Sequence, residues 1–387
     1  MKCICAVPNY LNMKVQQLSL KADLWLQDID KISIKTNICL LFVSPEFDEI
    51  HKVLDSLKEK IPDALIVGCS TAGEISNISV KDNTISLTAI EFEKTSIKLT
   101  AHTIKNSGCS YKKGEEIGSE LISKDLKHVL VFSDGLNVNG ADLVLGLKAK
   151  LPEVSITGGL AADGADFEKT FVINNHKISD KTIVGVGLYG KDLKVGYGSK
   201  GGWDSFGIER MVTKSEKNIL YELDHKPALE LYKSFLGEQA KSLPVSGLLF
   251  PLSMRSHENN RPVVRTILGV DEANQSLTFA GNIPENSYVR LMKSNIDRLI
   301  DGAEDSATLA NQTSGGNTEL AILISCVGRR LVMKQMVEEE VEAVRDVLGN
   351  SAKIAGFYSY GEIAPFREFS PCELHNQTMT ITTLSEC

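Results

Sequence analysis

The chain has 387 residues, of which 42% are hydrophobic and 24% charged, with a formal net charge of −8. That is enough chain for two or more domains with sizeable cores. No excess of Lys and Arg is available to neutralise phosphates, which argues against a nucleic-acid partner.

The opening run Met1-Lys-Cys-Ile-Cys-Ala-Val7 reads as a first strand, too short for a secretion signal and ended by Pro8 and Asn9. No stretch has the length of apolar residues that spans a bilayer, so no membrane insertion is expected. The eight cysteines are scattered, with no Cys-x-x-Cys pair, and Cys3-x-Cys5 is too tight for a zinc knuckle. The expected setting is a reducing cytoplasm with free thiols.

Val15, Leu18, Ala22, Trp25 and Ile29 recur at helical spacing and predict an amphipathic helix. The apolar run 38–43 suits a strand covered on both faces, and Phe47, Ile50, Leu54 and Leu57 mark a helix that stops before Pro62. Residues 65–67 form a strand entering the turn Gly68-Cys-Ser-Thr-Ala-Gly-Glu-Ile75. Residues 84–91 and 96–102 alternate as half-exposed strands do. A short helix around Ile117 and Leu121, a strand at 128–132, a helix at 141–151 and a strand at 155–157 lead into Gly158-Gly-Leu-Ala-Ala-Asp-Gly164. Strands follow at 170–173, 182–188 and 194–197.

The glycine- and serine-rich stretch 198–207 is the best boundary, predicting domains at 1–205 and 206–387. Beyond it lie a helix at 226–237, strands at 263–268 and 277–279, and a long helix marked by Ile296, Leu299, Ala303, Ala307 and Ala310. A strongly apolar strand at 320–326, a helix at 334–348, the turn Gly356-Phe-Tyr-Ser-Tyr-Gly-Glu-Ile363 and a last strand at 378–384 complete the chain. Strand, helix, strand and glycine turn thus occur three times, which implies a repeated architecture.

Glycine leaves backbone N–H groups uncovered, so Gly68, Gly73, Gly356 and Gly361 frame candidate ligand sites at strand ends. Glu74 and Glu362 could bind a ligand amine, or else cap a helix or pair with an arginine. Ser70, Tyr358 and Ser359 could donate to a ligand carboxylate, although turns favour such residues anyway. Cys69 sits where a nucleophile might, but has no base close in sequence; a small residue fitting the turn is the plainer reading, and Cys326 and Cys372 are weaker candidates. His375 could offer an imidazole nitrogen to haem iron or be a structural histidine; covalent c-type haem is excluded because no Cys-x-x-Cys-His is present. His225 and His257 sit in polar stretches and read as surface residues. No Gly-x-x-x-x-Gly-Lys-Ser/Thr loop is present, and the glutamate after Gly73 opposes an anionic nucleotide.

Several segments together resemble the FIST domain family of signal-transduction sensors. They are residues 68–75, Val131-Phe-Ser-Asp-Gly135, residues 156–164, Pro227-Ala-Leu-Glu-Leu-Tyr232, Arg265-x-Ile-Leu-Gly-Val-Asp271, Phe279-Ala-Gly-x-Ile-Pro284, residues 356–363 and Leu374-His-Asn-Gln-Thr378. The resemblance implies an α/β fold of repeated β-α-β units with mixed sheets in two parts, an N-terminal and a C-terminal FIST domain. It further implies a cytoplasmic small-ligand sensor acting in signal transduction and not an enzyme. Similar stand-alone bacterial proteins bind haem b, sense nitric oxide and regulate a partner histidine kinase, and that is the most specific expectation, with His375 as iron ligand. The alternatives are an amino-acid or related metabolite sensor without haem, and a thiol enzyme using Cys69. A homo-oligomer stays open.

Overall fold

The computed structural model describes residues 13–256, 262–366 and 370–387. The expected first strand and His257 lie outside these residues.

The first repeat runs β1 (Lys14–Lys21), α1 (Trp25–Asp30), β2 (Ile38–Val43), α2 (Ile50–Lys60), β3 (Leu65–Ser70), the hairpin β4 (Glu74–Ser76) and β5 (Ser79–Lys81), then β6 (Thr84–Glu91). The second repeats this order: β7 (Ser96–Thr103), α3 (Ser110–Leu121), β8 (Leu126–Ser133), α4 (Gly140–Lys150), β9 (Ser155–Leu160), hairpin β10 (Val172–Asn174) and β11 (Lys177–Ser179), β12 (Thr182–Tyr189). The third opens with β13 (Leu193–Lys200) and is then interrupted. An insertion supplies β14 (Trp203–Glu216), β15 (Ile219–Leu223), β16 (Lys226–Pro227), α5 (Ala228–Leu236), β17 (Leu252–Arg255), β18 (Val263–Arg265), β19 (Ile267–Asp271), β20 (Ser276–Phe279) and β21 (Tyr288–Ser294). The third repeat resumes with α6 (Ile296–Ser314), β22 (Leu320–Cys326), α7 (Val327–Met333), α8 (Val337–Leu348), β23 (Lys353–Ser359), hairpin β24 (Gly361–Pro365) and β25 (Cys372–His375), and β26 (Met379–Glu386).

Three six-stranded sheets result, in the orders β1-β6-β2-β3-β10-β11, β7-β12-β8-β9-β24-β25 and β13-β26-β22-β23-β4-β5. Each therefore holds four strands of its own repeat and the hairpin of another. The second repeat's hairpin completes the first sheet, the third's completes the second, and the first's completes the third. Both sides of residue 205 contribute to the second and third sheets, so the expected two parts are interlocked.

Each sheet is built around a parallel pair with the same register: Leu41 opposite Gly68, Val131 opposite Gly158, Leu323 opposite Gly356. A Cβ on these glycines would lie 1.7, 2.0 and 1.9 Å from the facing carbonyl oxygen. The glycines are needed because the neighbouring strand's backbone occupies the side-chain position. Between the sheets, Phe42, Phe132 and Phe357 pack with tilted rings, their centroids 4.7 to 6.3 Å apart. Phe357 fills the space left by Gly159, whose Cβ would meet its ring at 3.1 Å. The helices cover the outer faces.

The inserted sheet runs β18-β17-β21-β14-β15-β20-β19, and its end strands β18 and β19 are separated in sequence by Thr266 alone. It curls into a barrel around Leu220, Leu277, Phe279 and Val289.

Four local expectations change. Residues 14–21 form a strand rather than a helix: β1 is a sheet edge with only Leu20 buried, so its apolar residues do not alternate. β6 is buried almost throughout rather than half-exposed, because it lies inside its sheet. Residues 68–70 and 357–359 continue their strands, leaving shorter turns. The helix expected at 334–348 is preceded by a separate α7.

The close approach gives a direct test. Gly356→Ala should lower unfolding free energy by about 3 kcal/mol in urea titrations, because a backbone carbonyl must move. Gly164→Ala, with φ +77 and nothing within 4 Å of the added carbon, should cost only about 1 kcal/mol.

Candidate functional site

The residues singled out in the glycine turns meet one another more than they meet open space. Ser359 Oγ donates to Glu362 Oε1 at 2.6 Å, while Thr378 donates to Oε2 through its N–H at 3.2 Å and its hydroxyl at 2.9 Å. The first repeat has the same bracket: Thr71 donates to Glu74 Oε1, and Thr84 donates to Oε2 through its N–H at 3.2 Å and hydroxyl at 2.8 Å. Each carboxylate therefore ties its hairpin to the strand that follows. In the second repeat Val172 occupies the equivalent position opposite Cys69. There Asp134 braces the segment, accepting from Lys181 N–H and Thr170 Oγ1.

The remaining candidates are similarly engaged. Ser70 accepts from the Phe171 N–H at 3.1 Å, and Tyr358 donates to Glu340 Oε1 at 2.5 Å. Glu340 also pairs with Arg329 at 2.6 Å, both side chains being 0% exposed. Arg329 donates in turn to the carbonyls of Gly201 and Leu299, which lie where the insertion leaves and rejoins the third repeat. Cys69 lies in the central core, and burial raises its thiol pKa well above normal, so no thiolate is available there. Cys326 and Cys372 are also buried. Gly361 packs against Leu160 and Leu374. Gly73 and Glu74 do border a polar cleft of about 120 Å³, together with Arg330, Asp82 and Asp163. Arg330 lies over Gly73 and bonds Asp82 at 2.6 Å.

His375 is 2% exposed, and its Nε2 lies 2.9 Å from the Ala364 carbonyl. Burial lowers its pKa to about 4. The Phe366 ring lies against it with centroids 5.9 Å apart, and the imidazole, enclosed in this way, has no open face to receive a haem. The site does not fit that group. The segment around it docks the barrel instead: Gln377 Nε2 donates to the Leu248 carbonyl at 2.9 Å, and Trp203 Nε1 donates to the Gln377 carbonyl at 3.0 Å. Among the described residues no cluster of His, Cys, Asp or Glu is arranged to hold a metal ion.

A cavity of about 280 Å³ opens at the seam where the barrel meets the second repeat and the third repeat's hairpin. Val144, Leu145, Met254 and Val263 give it an apolar wall, and Arg265, Asn282 and Glu373 give it polar groups. Arg265 is 6% exposed and donates to the carbonyls of Asn282, Val264 and Leu374 at 3.0 to 3.2 Å. The Glu373 carboxylate acts on it electrostatically, but among the described residues no carboxylate hydrogen-bonds to it. Burial lowers its pKa to about 10, which leaves it charged at neutral pH. Asn282 is fixed by Asn139 at 2.8 Å and Asp142 at 2.7 Å, at the start of α4. None of these residues was singled out as a site from sequence. The signal was present for Arg265 and Leu374, which are matched positions in the segments that carried the family resemblance, whereas Asn282 fell at an unmatched position.

Residues 37–226 match the FIST N domain and residues 228–365 the FIST C domain. The chain belongs to the FIST family. FIST domains are associated with small-ligand sensing in signal transduction. The two matches meet inside the inserted barrel, so the seam cavity draws on both. This FIST chain is 26% identical over 372 residues to the uncharacterized protein MJ1623 of Methanocaldococcus jannaschii, covering 85% of this chain and 71% of that one. Among solved structures it is similar to a chorismatase (TM-score 0.34, 10% identity, 96% and 98% of the two chains). It is also similar to a cyanuric acid hydrolase from A. caulinodans (TM-score 0.39, 10% identity, 97% and 99%). These distant likenesses carry no argument about activity. No helix among the described residues is long and apolar enough to cross a membrane.

The paired brackets set a pH dependence for this FIST fold. Burial raises the Glu74 pKa to about 7 and the Glu362 pKa to about 8, against the hydroxyl and N–H donors that lower them. A carboxyl with a raised folded-state pKa contributes stability that is complete below its unfolded value and is lost as pH rises through the folded one. Thermal midpoints should therefore fall from about pH 4.5 to about pH 8 and level off above it, and the slope should flatten in the Glu74→Gln/Glu362→Gln double variant.

Proposed function

We propose that this FIST protein senses an amino acid or a closely related metabolite with an apolar body, bound in the cavity at the seam. The observation that carries the proposal is the Arg265 guanidinium: nine-tenths buried, hydrogen-bonded to no described carboxylate, and on the wall of a mostly apolar cavity. Its Nε and Nη1 donate to backbone carbonyls, which leaves Nη2 to donate a charge-assisted hydrogen bond to a ligand carboxylate, and the partial exclusion of water there strengthens the pair. Glu373, on the same lining, supplies the opposite charge for an ammonium. The apolar wall takes the side chain, so a zwitterion with an aliphatic or thioether body matches all three parts.

The lining comes from α4, from the barrel and from β25, so an occupant contacts both sides of the seam and favours whichever relative placement closes on it. That placement is the signal which a separate protein, such as a histidine kinase, would read. Haem as the bound group and nitric oxide as its input draw no support from the surroundings of His375, and the proposal does not include them.

The test is a thermal-shift series with apolar amino acids, the matching 2-keto acids and the matching amines. At least one amino acid should raise the melting temperature, and the analogues lacking either charge should raise it less. Saturation at about 100 times the dissociation constant corresponds to about 2.7 kcal/mol of added stability. Arg265→Ala should abolish the response and Glu373→Gln should weaken the preference for the ammonium. A wild-type protein unmoved by every amino acid, or an Arg265→Ala variant that responds fully, would contradict the assignment.

A further inference from the structure

The barrel carries a second surface feature, lined by residues other than those of the seam cavity. Strand β14 leaves its ladder with β21 between Phe206, opposite Leu291, and Arg210, opposite Val289. Three residues of β14, Gly207, Ile208 and Glu209, thus face one on β21, and the surplus is forced outward. Gly207 has φ +73 with nothing within 4 Å of an added carbon, so the bulge projects into free space. Ile208 is 68% exposed at its tip. Bulges re-aim side chains, and this one aims a large apolar side chain at solvent.

The projection forms one wall of a hollow of about 70 Å³, lined by Ile208 together with Leu223, Tyr232, Leu252 and Leu291 and rimmed by Phe235. It has room for one aliphatic side chain, and the rim residue Phe235 is itself 42% exposed. Arg210 lies over the Phe235 ring at 5.2 Å and pairs with Asp224 at 2.9 Å. Its Nε is buried without a hydrogen-bond partner among the described residues. The patch therefore displays a projecting isoleucine, a socket for an aliphatic side chain, and a cation and an anion that pair with each other within one chain.

We propose that two copies of this chain meet here about a twofold axis, each Ile208 seated in the other's hollow and each Arg210 facing the other's Asp224. A twofold interface uses one patch on both partners, so the patch must be complementary to itself. An unrelated partner would need only the hollow. The isoleucine beside it needs a second hollow, and the charges on the same patch are of both signs.

Sedimentation velocity and light scattering across a wide range of protein concentration provide the test. The wild type should dimerise on dilution-reversible terms. Ile208→Glu should raise the dimer dissociation constant by about thirtyfold or more, the loss typical of a central anchor residue. Phe235→Ser should weaken the dimer in the same direction. Both positions are exposed, so the melting temperature of the dilute monomer should stay unchanged and separates loss of association from loss of folding. A wild type that is monomeric throughout, or a dimer that neither substitution weakens, would overturn the proposal. Ligand response at Arg265 is measured independently, so the two readings can fail separately.

Discussion

Exchange of hairpins between repeats is the constraint on which the rest of this structure depends. A parallel strand pair at the centre of a sheet leaves one open edge, and in each repeat that edge is filled by a hairpin from another repeat. No repeat can complete its sheet alone. Within each repeat the two parallel strands come close, and the equivalent glycines 68, 158 and 356 admit the carbonyl of the neighbouring strand. The exchange also brings polar turn residues into the interior, where Glu74 and Glu362 are held by hydroxyl and N–H donors from their own repeats. A buried polar bracket of this kind persists only when its acceptors are satisfied.

The seam cavity follows from where the third repeat is interrupted. The insertion leaves after β13 and returns at α6, and Arg329 holds both junctions through the carbonyls of Gly201 and Leu299. With its ends fixed, the barrel docks on the Asn376-Gln377 turn and faces α4 of the second repeat. The cavity is the gap left between a rigid scaffold and a docked body. Such a gap is where a small occupant can alter relative placement without disturbing either core.

Much of the fold was legible in the sequence, and the site was not. The runs at 38–43 and 320–326 announced buried parallel strands because both faces of such strands are covered, and three glycine turns at equivalent positions announced the repeat. Their meaning was ambiguous for a physical reason: a glycine at a strand end reports close approach but does not say to what. At Gly68 and Gly356 the approaching group is a neighbouring strand, not a ligand. β1 was misread because an edge strand need not alternate. Arg265 could not be ranked from pattern alone, since nothing local distinguishes a buried arginine from a solvated one. Its burial is decided by Leu374 and Asn282, both distant in sequence or brought close only by the docking of the barrel.

The most direct test of the interlocked repeats is native-state hydrogen exchange under graded denaturant. If the exchanged hairpins make the three sheets one cooperative unit, amides in β3, β9 and β23 should share a single opening free energy equal to that of global unfolding. Separate opening of the strands before residue 205, at a free energy well below that of β22 and β23, would show two independent halves and contradict the account.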